Sequence, residues 1–137
     1  TGLNYTDTTV SNGTTYYFVV SASNSGGESA NSNQVSAAPS APAAVPAAPS
    51  NLLAVAASKT QINLSWNDNA NNETAYLIER STSSGKGYVQ VATVGANVTS
   101  YSNTGLRASK LYYYRVRASN GSGNSAYSNT ASAKTPR

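Results

Sequence analysis

One pattern, written twice and 96 positions apart, constrains this chain more than any other feature. Tyr5-Thr6-Asp7-Thr8 leads to Tyr16-Tyr17-Phe18-Val19-Val20-Ser21-Ala22-Ser23-Asn24, and then to Gly27-Glu28-Ser29-Ala30-Asn31-Ser32-Asn33. Tyr101-Ser102-Asn103-Thr104 leads to Tyr112-Tyr113-Tyr114-Arg115-Val116-Arg117-Ala118-Ser119-Asn120, and then to Gly123-Asn124-Ser125-Ala126-Tyr127-Ser128-Asn129. Laid over each other without a gap, residues 5–38 and 101–134 agree at 15 of 34 positions. Solenoid repeats have periods of roughly 20–50 residues, so this spacing marks a duplicated domain. Only the second copy has room before it for a whole domain. The expected organisation is the tail of one module over residues 1–36, a linker over 37–49 and a complete module over 50–137.

A unit of about 90 residues folds without staples, since single cores fail mainly below about 40 residues. Cysteine is absent, which removes disulfides and thiolate metal sites. Residues 37–49 hold four prolines among Ala, Ser and Val. Such a segment favours extended polyproline II geometry and spans about 40 Å at full extension. After it, short runs alternate with turn signals. Ile62, Leu64 and Trp66 share one face of a strand, and Tyr76 and Ile78 share one face of the next. Tyr112, Tyr114, Val116 and Ala118 point one way, while Tyr113, Arg115 and Arg117 point the other. Seven strands are predicted, near 52–56, 62–66, 76–81, 88–94, 99–102, 112–118 and 127–134, with loops at 67–72 and 120–124. No helical periodicity occurs. This is an all-β reading: a seven-stranded antiparallel immunoglobulin-like sandwich, preceded by the last three strands of a second one.

Over residues 48–137 the sequence resembles the fibronectin type III family. The residues that carry the resemblance are Pro49-Ser50-Asn51-Leu52, Leu64-Ser65-Trp66, Tyr76-Leu77-Ile78-Glu79-Arg80-Ser81, and Leu106 followed six positions later by Tyr112. The last spacing resembles the family's Leu-x-Pro-Gly-x-x-Tyr stretch and implies a tyrosine corner at Tyr112. Ala108 and Ser109 stand where that stretch has Pro and Gly, so a looser turn is implied. In residues 1–36, Val10, Gly13 and Tyr16 match the same stretch. The core implied is Trp66, Tyr76, Ile78, Leu106, Tyr112, Tyr114 and Val116. The Asn-rich loop and the Ile-Glu-Arg-Ser strand are most similar to bacterial members. Those members sit beside catalytic and binding domains in secreted polysaccharide-degrading enzymes, other extracellular hydrolases and surface adhesins.

Composition argues against catalysis. Histidine and cysteine are absent, which removes the commonest general base and the strongest nucleophile. Asp7, Glu28, Asp68, Glu73 and Glu79 are the only carboxylates. Asp68 and Glu73 flank one loop and could approach each other, yet turn chemistry accounts for them. The same loop lacks the spacing of a calcium site, so no metal and no cofactor is expected. Charge is uneven. Residues 1–50 carry Asp7 and Glu28 alone, a charge of −2, while residues 51–137 carry all nine basic residues against three acids, a charge of +6.

A basic surface attracts nucleic acid, teichoic acid or acidic polysaccharide. Here the basic residues are scattered without a run, so a solvated surface is favoured and no nucleic-acid partner is expected. Glu79 is expected to face Arg115 or Arg117 in an exposed cross-strand pair, leaving the other arginine solvated. Arg115, Arg117, Lys110 and Tyr113 form the candidate ligand surface. Tyr88 and Tyr127 are, with Tyr113, the other candidates for stacking on sugar, but tyrosine on the solvent face of a strand is ordinarily a cross-strand packing partner.

The reading is thus a non-catalytic spacer or accessory module of an extracellular, secreted or cell-surface bacterial protein, partnered by neighbouring domains of the same polypeptide. The alternatives are a binding module for polysaccharide or an anionic cell-wall polymer, and a structural, adhesive surface-fibre protein. No apolar run approaches the roughly 20 residues of a membrane span, so no membrane partner is expected. Residues 1–36 would present an apolar face with nothing opposite. Completion by other polypeptide, or self-association through these residues, is expected.

Overall fold

The computed structural model describes residues 2–137, which fall into two compact units, one ending at Ala43 and the other spanning Ala44–Arg137. In chain order the strands are β1 (Tyr16–Phe18), β2 (Ser23–Asn24), β3 (Gly27–Glu28), β4 (Val35–Ala37), β5 (Ser50–Ser58) and β6 (Gln61–Asn67). They continue with β7 (Ala75–Ser81), β8 (Val89–Gly95), β9 (Ser100–Asn103), β10 (Leu111–Asn120), β11 (Gly123–Asn124) and β12 (Ala131–Lys134). The described residues contain no helix.

The second unit is an antiparallel sandwich. One sheet runs β5-β6-β9; the other runs β8-β7-β10, with β11 and β12 both pairing with β10. Period-two alternation sends Leu52, Ile62, Leu64 and Trp66 inward from the first sheet, where they are buried. From the other sheet Tyr76, Ile78, Tyr112, Tyr114, Val116 and Ala118 meet them, and Leu106 closes the core from the loop before β10. The Trp66 and Tyr76 rings lie 5.7 Å apart and tilted by 56°, an arrangement that aromatic quadrupoles favour.

The tyrosine corner is formed. The Tyr112 hydroxyl accepts the Arg107 N–H at 3.0 Å. Ser109 takes φ 56°, the left-handed conformation that glycine would adopt without strain. The turn is therefore retained without the Pro-Gly pair, at a conformational cost.

The end of the sandwich differs from the strand predicted over 127–134. β11 forms a short hairpin with the end of β10, pairing Asn120 with Gly123, where a loop is predicted. The ladder then breaks. The Ala118 N–H donates to the Ser125 hydroxyl at 2.9 Å, and the Val116 N–H donates to the Ser128 hydroxyl at 3.1 Å. Two serine side chains thus replace two backbone carbonyls before regular pairing resumes at β12.

The spacer expected over 37–49 gives its last six residues to the second unit. Pro46 and Pro49 are buried. The Ala44 carbonyl accepts from the Asn72 and Asn120 amides at 3.0 and 2.9 Å, and the Ala48 carbonyl accepts from Asn69 at 2.9 Å. Polyproline II leaves its carbonyls without internal partners. The Asn-rich loop, with Asn120 at the end of β10, supplies donors for two of them.

The first unit repeats the geometry of the second at the same offset of 96. β1 pairs with β4 in the register Tyr16↔Ala37, as β10 pairs with β12 at Tyr112↔Ala133. The Ser11 N–H donates to the Tyr16 hydroxyl at 3.0 Å, the counterpart of the Arg107–Tyr112 bond. Ser29 and Ser32 accept from Ala22 and Val20 as Ser125 and Ser128 do from Ala118 and Val116. Gly13 has positive φ where Ser109 does. Residues 4–7, the counterpart of β9, pair with no strand, since the partner that holds β9 is β6.

Candidate functional site

The outer face of β7 and β10 carries the densest set of charged and aromatic side chains. Antiparallel register sets Arg115 directly opposite Glu79. Both arginines reach the one carboxylate. Arg115 Nε and Nη2 lie 2.8 and 2.7 Å from Glu79 Oε2, and Arg117 Nη2 lies 3.3 Å from Oε1. The Tyr127 hydroxyl donates to Oε1 at 2.8 Å. The Arg115 guanidinium lies over two rings, 3.7 Å from the centroid of Tyr127 and 4.3 Å from that of Tyr88. Arg117 lies 4.9 Å from the Tyr127 ring.

This corrects two expectations. The ion pair is not exposed, because the tyrosines and arginines cover Glu79 to 6% exposure. The second arginine is not merely solvated, because its carboxylate partner is shared. Burial pushes the Glu79 carboxyl toward its neutral form. Hydrogen bonds from Arg115 and Tyr127, with the charges of both arginines, outweigh burial and hold its pKa below the ordinary glutamate value. Burial, then the anionic acceptor, push the Tyr127 hydroxyl upward, so it remains a donor. The Arg115 guanidinium gains cation–π attraction from both rings. Arg117 Nε and the Tyr88 hydroxyl are buried beside the cluster without hydrogen-bond partners.

Of the other candidate residues, Tyr113 is half-buried on the same face, opposite Ser81 and Ser132. Lys110 does not join them. It precedes β10, its backbone tied to Thr135, about 16 Å along the strand from Arg115. Tyr88 and Tyr127 give their faces to Arg115 and are not free platforms for sugar.

The two carboxylates of the Asn-rich loop serve separate structural bonds. Asp68 accepts the Tyr76 hydroxyl and the Ala70 N–H, and burial with that acceptor raises the Tyr76 pKa. Glu73 is buried and accepts the Asn97 N–H at 3.0 Å, at a residue with φ 60°. Among the described residues no three metal-ligating side chains stand together.

Two further polar devices escaped the sequence reading. Asn103 is buried and accepts from both Arg80 Nη1 and the Tyr114 hydroxyl at 2.9 Å. The parity of β7 signals the first, since Arg80 falls in phase with Tyr76 and Ile78. Asn129 clamps the start of β5: its amide accepts the Leu52 N–H at 2.8 Å and donates to the Leu52 carbonyl at 2.9 Å. Its recurrence as Asn33 was the available signal.

The profile of the fibronectin type III domain matches residues 47–134. No curated protein matches the chain. Among solved structures, an Fn3-like protein from Clostridium thermocellum is 35% identical, with a TM-score of 0.59, over 69% of this chain and 97% of that one. Domains from titin are 25% identical, with a TM-score of 0.65, over 88% of this chain and 41% of that structure. A β-1,2-glucanase from Parabacteroides distasonis is 28% identical, with a TM-score of 0.56, over 70% of this chain but only 14% of the glucanase. Sandwich topology, the corner at Tyr112 and the family match agree, and the chain belongs to the fibronectin type III family.

Proposed function

We propose that this chain is a non-catalytic spacer and accessory part of a larger secreted or cell-surface bacterial protein, one that degrades polysaccharide or performs another extracellular hydrolysis. In this reading residues 1–36 are the C-terminal strands of a truncated fibronectin type III module of the bacterial extracellular type. The observation that carries it is the recurrence, at a constant offset, of the corner bond, the two serine bridges and the strand register on either side of a proline-rich segment. Modules in tandem with proline between them hold neighbouring domains apart. Docking of Ala44–Pro49 on the second unit supports a stiff spacer, because six linker residues lose their freedom. The resemblance of a segment of a bacterial glucanase supports the hydrolase context.

A second reading, a binding module for an acidic polysaccharide or anionic cell-wall polymer, is favoured by one observation. Residues 51–137 carry nine basic residues against three acids, a charge of +6, and the Arg115 and Arg117 side chains keep 29% and 25% of their surface in water. Affinity electrophoresis of the whole chain through gels containing neutral and acidic glycans separates the two. The spacer reading expects unaltered mobility in every gel. Salt-sensitive retardation in the acidic gels that is lost in Arg117→Ala would replace it with the second.

A further inference from the structure

Asn120 and Gly121 stand where the proline-rich segment meets the sandwich. Asn120 ends β10 and pairs with Gly123 across a tight turn. Its carboxamide makes three bonds. Nδ2 donates to the Ala44 carbonyl at 2.9 Å and to the Asn72 carbonyl at 3.1 Å, and Oδ1 accepts the Ser122 N–H at 2.8 Å. Asn72 adds its own Nδ2 to the same Ala44 carbonyl. Val45 packs on this hairpin, its Cγ1 3.2 Å from the place where a Cβ on Gly123 would stand. One hairpin and the loop beside it therefore hold the start of the docked segment.

Gly121 has no conformational reason to be glycine. It takes no positive φ, unlike Gly13 at 80°, and a Cβ built on it meets nothing within 4 Å. The first unit makes the same hairpin, Asn24 paired with Gly27, with Ser25 at this position. What glycine changes here is chemistry. A side chain on the residue after an asparagine hinders the approach of that residue's backbone nitrogen to the carboxamide, and glycine leaves the approach open. Asn-Gly occurs at Asn12-Gly13 and at Asn120-Gly121. The turn accounts for Gly13, and Asn12 is exposed and lies outside any strand. Asn120 is the one whose carboxamide holds another segment in place.

We propose that Asn120 is a self-modification site, and that its conversion to aspartate releases the proline-rich segment from the sandwich. The Gly121 nitrogen attacks Cγ of Asn120, a C–N bond forms as the Cγ–Nδ2 bond breaks, and the proton of the attacking nitrogen leaves with the ammonia. Water then opens the cyclic imide at one of its C–N bonds, which gives aspartate or isoaspartate. Ring closure withdraws the carboxamide from all three of its bonds, so it proceeds only when the hairpin and the docked segment open locally. The grip does not re-form. An ionised carboxylate accepts and does not donate, and this one would face the carbonyl oxygens of Ala44 and Asn72. Isoaspartate also adds a methylene to the main chain, which ends the pairing of Asn120 with Gly123. A looser spacer is the consequence. That consequence rests on reading the chain as a spacer; the chemistry at Asn120 does not.

The intact chain, held in mildly alkaline buffer made with heavy-oxygen water and then mapped by peptide mass spectrometry, tests the site. Asn120 is expected to take up heavy oxygen in the native chain and to stay unmodified in Gly121→Ala. In Asn72→Ala, which removes one hydrogen bond from Ala44, it is expected to react about fivefold faster. Conversion at Asn12 without conversion at Asn120, in the native chain and in Asn72→Ala alike, overturns the assignment. Equal rates in those two proteins overturn its control by the docked segment. Release is read by nitrogen relaxation at the Ala44 and Val45 amides in Asn120→Asp, with Trp66 fluorescence checking the fold. Their order parameters should fall from about 0.85 to below about 0.6. Amides that stay rigid in this variant overturn the release. Failure of the spacer reading is distinguishable, since it shows as retardation in acidic-glycan gels and leaves the heavy-oxygen result unchanged.

Discussion

Replacing Glu79 by Gln tests whether the covered cluster on β7 and β10 stabilises the sandwich. The carboxylate takes bonds from Arg115 Nε, Arg115 Nη2 and Tyr127 at 2.7–2.8 Å, and a longer contact from Arg117 at 3.3 Å. Hydrogen bonds to charged groups contribute about 1.5–3 kcal/mol each, and breaking a fully buried pair costs about 3–5 kcal/mol. The Arg115 and Arg117 side chains keep 29% and 25% of their surface in water, which lets them recover part of their hydration. Gln keeps one acceptor oxygen but turns an amide donor toward guanidinium donors. A loss of about 2 kcal/mol follows, or about 8–16 °C in Tm for a domain of 60–100 residues.

Urea unfolding followed by Trp66 fluorescence measures this in the intact chain, since the one tryptophan lies in the core of the second unit. The pH dependence gives an independent check. The folded pKa of Glu79 lies below its unfolded value of about 4.3, so its contribution is whole above that pH and fades as pH falls through the folded pKa. The gap between the native chain and Glu79→Gln should therefore be full at pH 7 and close under more acidic conditions. A difference under about 0.5 kcal/mol at pH 7, the usual effect of a surface substitution, would refute the reasoning. So would a gap that does not change with pH.

Ser125→Ala should cost about 2 kcal/mol in the same assay, because it leaves the buried Ala118 N–H without its acceptor. Tyr112→Phe removes the acceptor of the Arg107 N–H while keeping the ring, and a loss of about 1 kcal/mol in urea unfolding is expected. Ser109→Gly should stabilise by about 0.5–1 kcal/mol, since it relieves a side chain held at φ 56°, with a rise in Tm by calorimetry as the check.

What the sequence made legible is what period two and short spacings encode. Ile62, Leu64 and Trp66 alternate without interruption, as do Tyr112, Tyr114 and Val116, and all six are buried. The corner was legible only through the family resemblance, which Leu106 followed six positions later by Tyr112 carries. The Ser125 and Ser128 bridges were not, because a hydroxyl that replaces a backbone carbonyl leaves the alternation of apolar residues unchanged. Nor was the cover over Glu79. Tyr127 lies 48 residues from it, and nothing local says that its ring will lie over Arg115.

The repeat holds more information than either copy read alone. Where both copies keep a residue, as at Asn33 and Asn129 or Ser29 and Ser125, the structure of the second unit assigns the residue a backbone partner. Where they differ at a polar contact, as at Asp7 and Asn103, the surroundings differ too: Asn103 lies in β9, paired with β6, and Asp7 lies outside any strand and accepts from the Thr9 N–H and hydroxyl. Conserved chemistry between the copies therefore maps the scaffold, and divergent chemistry on the inner face maps what each copy packs against. Arg80 is the case that joins the two. It meets a neutral amide oxygen in the second unit, a hydrogen bond assisted by the charge of its donor, whereas the Asp7 carboxylate in the first takes its bonds from Thr9.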